Sequence, residues 1–393
     1  MNSAIYCARM ASRWFALAVI FLTRTSMGVQ FQSLASVAPL MVEDLHLSWA
    51  QVGSLIGLYM LPGAALSAPG GLLGQRFGDR RMVIAGLSLM LAGGLVTAAS
   101  GGFAVASIGR LASGAGAVLM NILLAKMTAD WFTGREMATA MAVLITAWPV
   151  GLGLAASTLG GVAARTSWPT AIVVASATAA LGLLLMAGLY RDAPARGVPG
   201  ARAALGARDI GLAVSSGFAF GVFNASLLVV IAFAPAMLRA HGSTLGEAGF
   251  VVSLAIWVTI LSVPAGGVLG DHYRRPNLLI VGGSLAAALL IALLPTLATA
   301  AFGLILVGLV VGAPPGSLMS LLPRVLAPER LATGLGVFYT LFYLVIAASQ
   351  SAAGLVRDLS GDPAMPIRFA AAMMAATVLG LGAFRLVERG KGR

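Results

Sequence analysis

Three observations predict an all-α membrane protein with twelve transmembrane helices. Of 393 residues, 59% are hydrophobic and only 10% are charged, and the mean hydropathy is +0.95. A water-soluble domain carries about 25% charged residues, so this chain cannot clothe a water-facing surface. Its apolar residues also fall into twelve long runs bounded by charge, Gly or Pro. Finally, the Lys and Arg residues gather in alternate connections between those runs.

The first six runs are predicted at 14–42, 50–74, 82–100, 104–129, 137–164 and 168–190. The second six are predicted at 210–238, 246–270, 277–297, 300–323, 331–356 and 367–387. At about 20 residues per crossing, twelve helices take about 240 residues, and no remaining stretch is long enough for a soluble domain. Residues 191–209, rich in Pro, Gly and Arg, read as a flexible linker between 1–190 and 210–393. Arg9 and Arg13 precede an apolar run as in a signal peptide, but the run is too long and Arg24 interrupts it, so a retained first helix is expected.

With the N-terminus inside, 19 of the 25 Lys and Arg lie in cytoplasmic positions, among them Arg76, Arg80, Arg81, Arg208, Arg330 and Arg389. Insertion favours that asymmetry. A bacterial-type inner membrane, with both termini and the linker cytoplasmic, is the expected location. The net charge of +12 is thereby explained without nucleic acid, since no basic block with interleaved aromatics occurs. The single cysteine, Cys7, excludes an internal disulfide and a thiolate cage. His46, His241 and His272 are far apart at helix ends. No metal and no cofactor are expected.

The halves repeat at an offset of 196 residues: Ala38-Pro39-Leu40-Met41 matches Ala234-Pro235-Ala236-Met237, Gly53 matches Gly249, and Gly70-Gly71-Leu72-Leu73-Gly74 matches Gly266-Gly267-Val268-Leu269-Gly270. Met137-Ala138-Thr139 pairs with Leu331-Ala332-Thr333 at 194. A duplicated six-helix unit is the reading, a construction common among secondary transporters.

The loop after the second run reads Gly71-Leu72-Leu73-Gly74-Gln75-Arg76-Phe77-Gly78-Asp79-Arg80-Arg81. Here the chain resembles the major facilitator superfamily, whose loop between helices 2 and 3 carries G-x-x-x-D-R-x-G-x-R-R. Gln75 stands where the family has Asp, and the second copy, with Gly267 and Asp271, keeps its acid but has Arg274 in place of the later glycine. Arg110-Leu111-Ala112-Ser113-Gly114-Ala115-Gly116 is similar to the family's R-x-x-x-G-x-G element on helix 4, and Trp148-Pro149-Val150-Gly151-Leu152-Gly153 to its Gly-Pro element on helix 5. The resemblance covers essentially the whole chain. It implies two pseudo-symmetric six-helix bundles, transport rather than catalysis, and a latch that involves Gly71, Gln75, Arg76, Gly78, Arg80, Arg81, Arg110, Gly267 and Asp271. Small residues there let helices approach closely, and arginines cap helix C-termini and bind lipid phosphates.

Arg24 lies about ten residues into the first run, near mid-depth, where a charge costs about 2.5–3.5 kcal/mol on insertion scales. Thr25, Gly28 and Gln32 follow at helical spacing, so this stripe is expected to face a cavity between the halves. All thirteen acidic residues sit at run ends or in loops, so none is available at the depth of Arg24. An unpaired cation in a low-dielectric cavity attracts an anion. Asn121, Trp148, Asn224, Trp257, Tyr339 and Tyr343 are further candidates for the pocket, the two tyrosines sharing a face at i,i+4.

Arg24 with Pro39 and the acidic Glu43-Asp44 helix end resembles the cyanate-permease-like branch, although Thr25 stands where that branch has Pro. The expectation is a monomeric secondary transporter that moves a small anion by alternating access. The alternative of the same fold is an exporter of amphipathic drugs, which the missing embedded acid disfavours. An enzyme is disfavoured because no acid–base pair or metal cluster is embedded, and proton coupling, if used, falls to a weakly acidic substrate.

Overall fold

The computed structural model describes residues 2–67, 69–132, 136–192, 204–273, 275–297 and 299–390, with the side chains of 2–12, 71, 72, 138, 271, 273 and 328 outside the described set. Among the described residues the fold is wholly helical, and twelve helices are long and apolar enough to cross a membrane. They are span 1 (Arg13–Leu45), span 2 (Trp49–Leu66), span 3 (Asp79–Ala98), span 4 (Phe103–Phe132), span 5 (Thr139–Arg165), span 6 (Trp168–Gly188), span 7 (Ala207–Ala240), span 8 (Leu245–Gly270), span 9 (Pro276–Thr296), span 10 (Ala300–Met319), span 11 (Glu329–Ser360) and span 12 (Met365–Arg389). Each crosses the bilayer because a helix satisfies its own backbone groups where water is absent. Leu261 and Leu379, 78% and 73% exposed, face outward as lipid demands. The multi-pass membrane reading therefore stands.

Two predicted spans differ from the expected runs because of proline. Span 2 stops at Leu66, short of the expected 74: it bends at Leu61–Pro62, and Pro69 starts a separate short helix, Gly70–Phe77. Span 10 is likewise two pieces, Ala300–Val310 and Pro314–Met319. Proline lacks the N–H that continues a helix and its ring collides with the carbonyl four residues back.

Spans 1 to 6 pack chiefly on one another, as do spans 7 to 12. The motif on span 4 works through packing. A methyl group added at Gly114 would strike the backbone of Tyr59 in span 2, and one at Gly86 in span 3 would lie 2.8 Å from the Gly116 carbonyl. Arg110 is buried and donates from Nε to the Leu55 carbonyl at 3.0 Å, from Nη1 to Gln30 at 2.9 Å and from Nη2 to Phe31 at 3.4 Å. Its guanidinium also lies 4.6 Å from the centre of the Tyr59 ring. It therefore ties spans 1 and 2 to span 4. Gln30 completes the stitching by donating to the Met90 carbonyl and Ser176 Oγ.

We call the end of the bundle where span 1 begins the near end and the opposite one the far end. The two sets of six meet along spans 2 and 11, spans 5 and 8, and spans 1 and 7. At the far end, Asp358 in span 11 accepts the Trp49 and Ala50 N–H groups of span 2 at 2.9 and 2.8 Å. Arg357 stacks 3.4 Å over the Trp49 ring, and Arg239 pairs with Glu43 at 3.3 Å. Gly53 lies against the Gln350 carbonyl in span 11, and Gly249 against the Ala156 carbonyl in span 5. These two glycines, 196 positions apart, make equivalent crossings.

Candidate substrate cavity

A cavity of about 690 Å³ lies between the two sets of helices, from mid-depth toward the near end. Its size falls in the range of small-molecule sites. Arg24 and Met27 of span 1, Asn121 of span 4, Thr146 and Trp148 of span 5, Asn224 of span 7, Thr259 of span 8 and Tyr343 of span 11 line it. Most of the remaining wall is apolar, including Phe223, Leu227, Ile256, Ile260 and Phe342.

Among the described residues Arg24 is the only charged one in that lining. Its Nε is buried without a hydrogen-bond partner, and among the described residues no carboxylate pairs with the guanidinium. The ionisable side chains near enough to interact with its charge are Tyr343 and Tyr339. Asn121 of span 4 lies near Tyr343 of span 11, on the side of the cavity that holds Arg24. Tyr339 and Tyr343 are tilted rings with centres 6.5 Å apart; Tyr343 lines the cavity, whereas Tyr339 packs on Phe338 and Phe342 behind it.

The other expected contacts divide. Trp148 lines the cavity and packs 5.5 Å from Phe31. Asn224 lines it with Nδ2 donating to the Phe220 carbonyl at 2.8 Å. The stripe of Thr25, Gly28 and Gln32 does not form the wall. A methyl added at Gly28 would lie 2.5 Å from the Trp148 carbonyl and 2.9 Å from the Leu152 nitrogen, so Gly28 serves the crossing of spans 1 and 5. Thr25 Oγ1 donates to the Phe21 carbonyl at 2.9 Å within its own helix. Gln32 is buried away from the cavity with both amide atoms unpartnered. Trp257 also lies outside the lining, its ring 2.8 Å from where a Gly153 methyl would be. Small residues permit close helix approach, which is why this stripe, polar or small in sequence, lies in a packing seam. Met27, Phe223 and Phe342 were missed because apolar side chains in apolar helices leave no mark in the sequence.

The near-end motif is organised within the first six spans. Gly78 has φ +89°, a left-handed value that joins helix Gly70–Phe77 to span 3. Arg80 donates from Nε to the Met186 carbonyl at 3.2 Å and from Nη2 to Ala187 at 2.5 Å. It thus caps the C-terminus of span 6, where a cation is favoured. Lys126 of span 4 pairs with Asp79 and, at 3.0 Å, with Asp130. Gln75, Arg76 and Arg81 are exposed, with the Arg76 guanidinium 5.3 Å from the Phe77 ring centre. Nothing lies within 4 Å of a methyl added at Gly267. The surroundings of Gly71 and the side chain of Asp271 lie outside the described residues.

Residues 15–350 match the profile of the Major Facilitator Superfamily. The chain is similar to the uncharacterized transporter YycB of Bacillus subtilis (strain 168), with 24% identity across 96% of this chain and 95% of that one. It is also similar to a hexuronate transporter of the same organism, 22% identical across 62% of this chain and 61% of that protein. Among solved structures, a bacterial homologue of the human lysosomal transporter Spinster, in an inward-facing and occupied conformation, superposes with a TM-score of 0.72. The superposition spans 96% of this chain and 97% of that one at 18% identity, a likeness of fold.

Proposed function

The chain belongs to the Major Facilitator Superfamily and is a membrane transporter rather than an enzyme, and from that premise we propose that it carries a small organic anion by alternating access. One observation carries the reading: Arg24 lines the cavity at mid-depth with no carboxylate partner. A substrate anion supplies the missing countercharge, and attraction in a low-dielectric site is weakly screened. The name of the hexuronate transporter, whose substrate is a carboxylate, supports the same class.

In this proposal the halves 1–190 and 210–393 rock about the cavity, joined by 191–209, of which 193–203 lie outside the described residues. The positive-inside bias supports a near end, with both termini, on the cytoplasmic side of a plasma membrane. The far-end contacts around Asp358 and Gly53 then close the outer path, and the conformation is inward-facing. The loops at 71–81 and 267–275 would hold the opposite, outward-facing state, when the near end closes. Among the described residues no Asp, Glu or His lines the cavity, so a proton co-substrate would travel on a weakly acidic substrate. Arg24 alone supports a cyanate-permease-like branch.

A second reading has an observation in its favour: the largely apolar wall suits export of amphipathic drugs. Proteoliposome uptake separates the two. A panel of labelled organic anions should yield at least one that accumulates, and Arg24→Gln should reduce that flux at least tenfold with the protein still folded. Anion flux unchanged by Arg24→Gln removes the guanidinium from the mechanism. Flux of cationic dyes with no anion flux replaces the proposal with drug export.

A further inference from the structure

The cavity is chemically lopsided. Its cationic pole is a single guanidinium, Arg24, with Asn121 and Tyr343 beside it. Away from that pole, several polar side chains each spend a donor on their own helix. Asn224 Nδ2 donates to the Phe220 carbonyl at 2.8 Å, Thr146 Oγ1 to Val143 at 2.8 Å, and Thr259 Oγ1 to Ile256 at 2.6 Å. Tyr59, the remaining phenol, donates to the Met27 carbonyl at 3.1 Å. Most of what faces the cavity from spans 7, 8 and 11 is hydrocarbon and ring, as at Phe223, Leu227, Ile256 and Phe342.

Building on the proposed anion site, we infer that the substrate is a monocarboxylate with an apolar, ring-sized body, its carboxylate on Arg24 and its body against the wall of spans 7, 8 and 11. Each buried polar group of a ligand must find a hydrogen-bond partner or pay for its lost water. A polyhydroxylated acid would bring several hydroxyls to a wall that is mostly hydrocarbon and offers few hydrogen-bond partners. A dicarboxylate would place its second charge in a lining that holds no second cation. An apolar body instead gains from leaving water in proportion to its area, and an aromatic one finds Phe223 and Phe342 to pack on.

The test is equilibrium binding of radiolabelled 3-phenylpropionate to the full chain in nanodiscs, with empty nanodiscs as background. Acetate, glucuronate and 3-phenylpropionamide serve as competitors. Expected are displacement by acetate and glucuronate only at concentrations at least tenfold above those of unlabelled 3-phenylpropionate, equally weak displacement by the amide, and at least tenfold weaker binding to Arg24→Gln. Ile256→Asn, which puts an amide into the wall, should weaken 3-phenylpropionate and leave acetate unchanged. Glucuronate competing as well as 3-phenylpropionate, with binding still dependent on Arg24, overturns the apolar-body inference and leaves the anion site intact. The amide competing as well as the acid, or no specific binding to folded protein, overturns the anion site and the inference with it.

Discussion

Gly53→Ala tests the far-end closure most directly. The added methyl would fall on the Gln350 carbonyl oxygen, 2.8 Å from the Gln350 carbonyl carbon and 3.3 Å from the Ser351 Cα. All three are backbone atoms of span 11, so no rotamer change relieves the clash and the two helices must separate. Overpacking of this kind costs about 1–3 kcal/mol. The cost falls on the far-end-closed state alone, because Gly53 and Gln350 belong to different halves. An offset of that size shifts a two-state population by about 5- to 150-fold, here toward the state open at the far end. Cys7 is the only native cysteine, so a Cys7→Ser background allows spin labels at Gly101→Cys and Leu359→Cys, both exposed. Pulsed electron–electron resonance should show the far-end distance lengthen in Gly53→Ala and stay unchanged in Gly282→Ala, where an added methyl meets nothing. A distance distribution identical in Gly53→Ala and the parent would refute the reasoning. Gly249→Ala, at the equivalent crossing, should act in the same direction.

Three further outcomes are expected. Arg110→Met removes three charge-assisted hydrogen bonds, to the carbonyls of Leu55, Gln30 and Phe31, and should destabilise the protein by about 3 kcal/mol; a melting temperature in detergent equal to the parent's would contradict its tying role. Asp358→Ala removes the acceptor for two span 2 N–H groups, a capping loss of about 1 kcal/mol; the same spin-label pair should report about fivefold more protein open at the far end, and no change would remove Asp358 from the closure. Arg80→Ala uncaps span 6 at a cost of about 0.3–1 kcal/mol; faster backbone hydrogen exchange confined to residues 185–190 is the check, and unaltered exchange there argues against the cap.

Some of this was legible from the residues in order. The twelve crossings could be read because lipid leaves only helices open to an apolar chain. Arg24 could be read because a cation at mid-depth stands out from its neighbours. The Arg110 element could be noticed, but its work as a three-way clamp on backbone carbonyls could not. Gly28 and Gln32 misled, since a small residue in a transmembrane helix looks the same whether it opens a pocket or lets another helix close in. Asp358 gave no sign of capping span 2, a partner 309 positions away in the chain.

Composition, the spacing of charge and the 196-residue echo were therefore enough to determine a polytopic bundle with a buried cation, because those features depend on the bilayer as solvent. Which side chains surround that cation, which end of the bundle is shut and how apolar the cavity wall is were decided by tertiary structure alone. Those properties depend on which faces of which helices meet, and in a chain with 59% hydrophobic residues nearly every face is a plausible contact until the helices are packed.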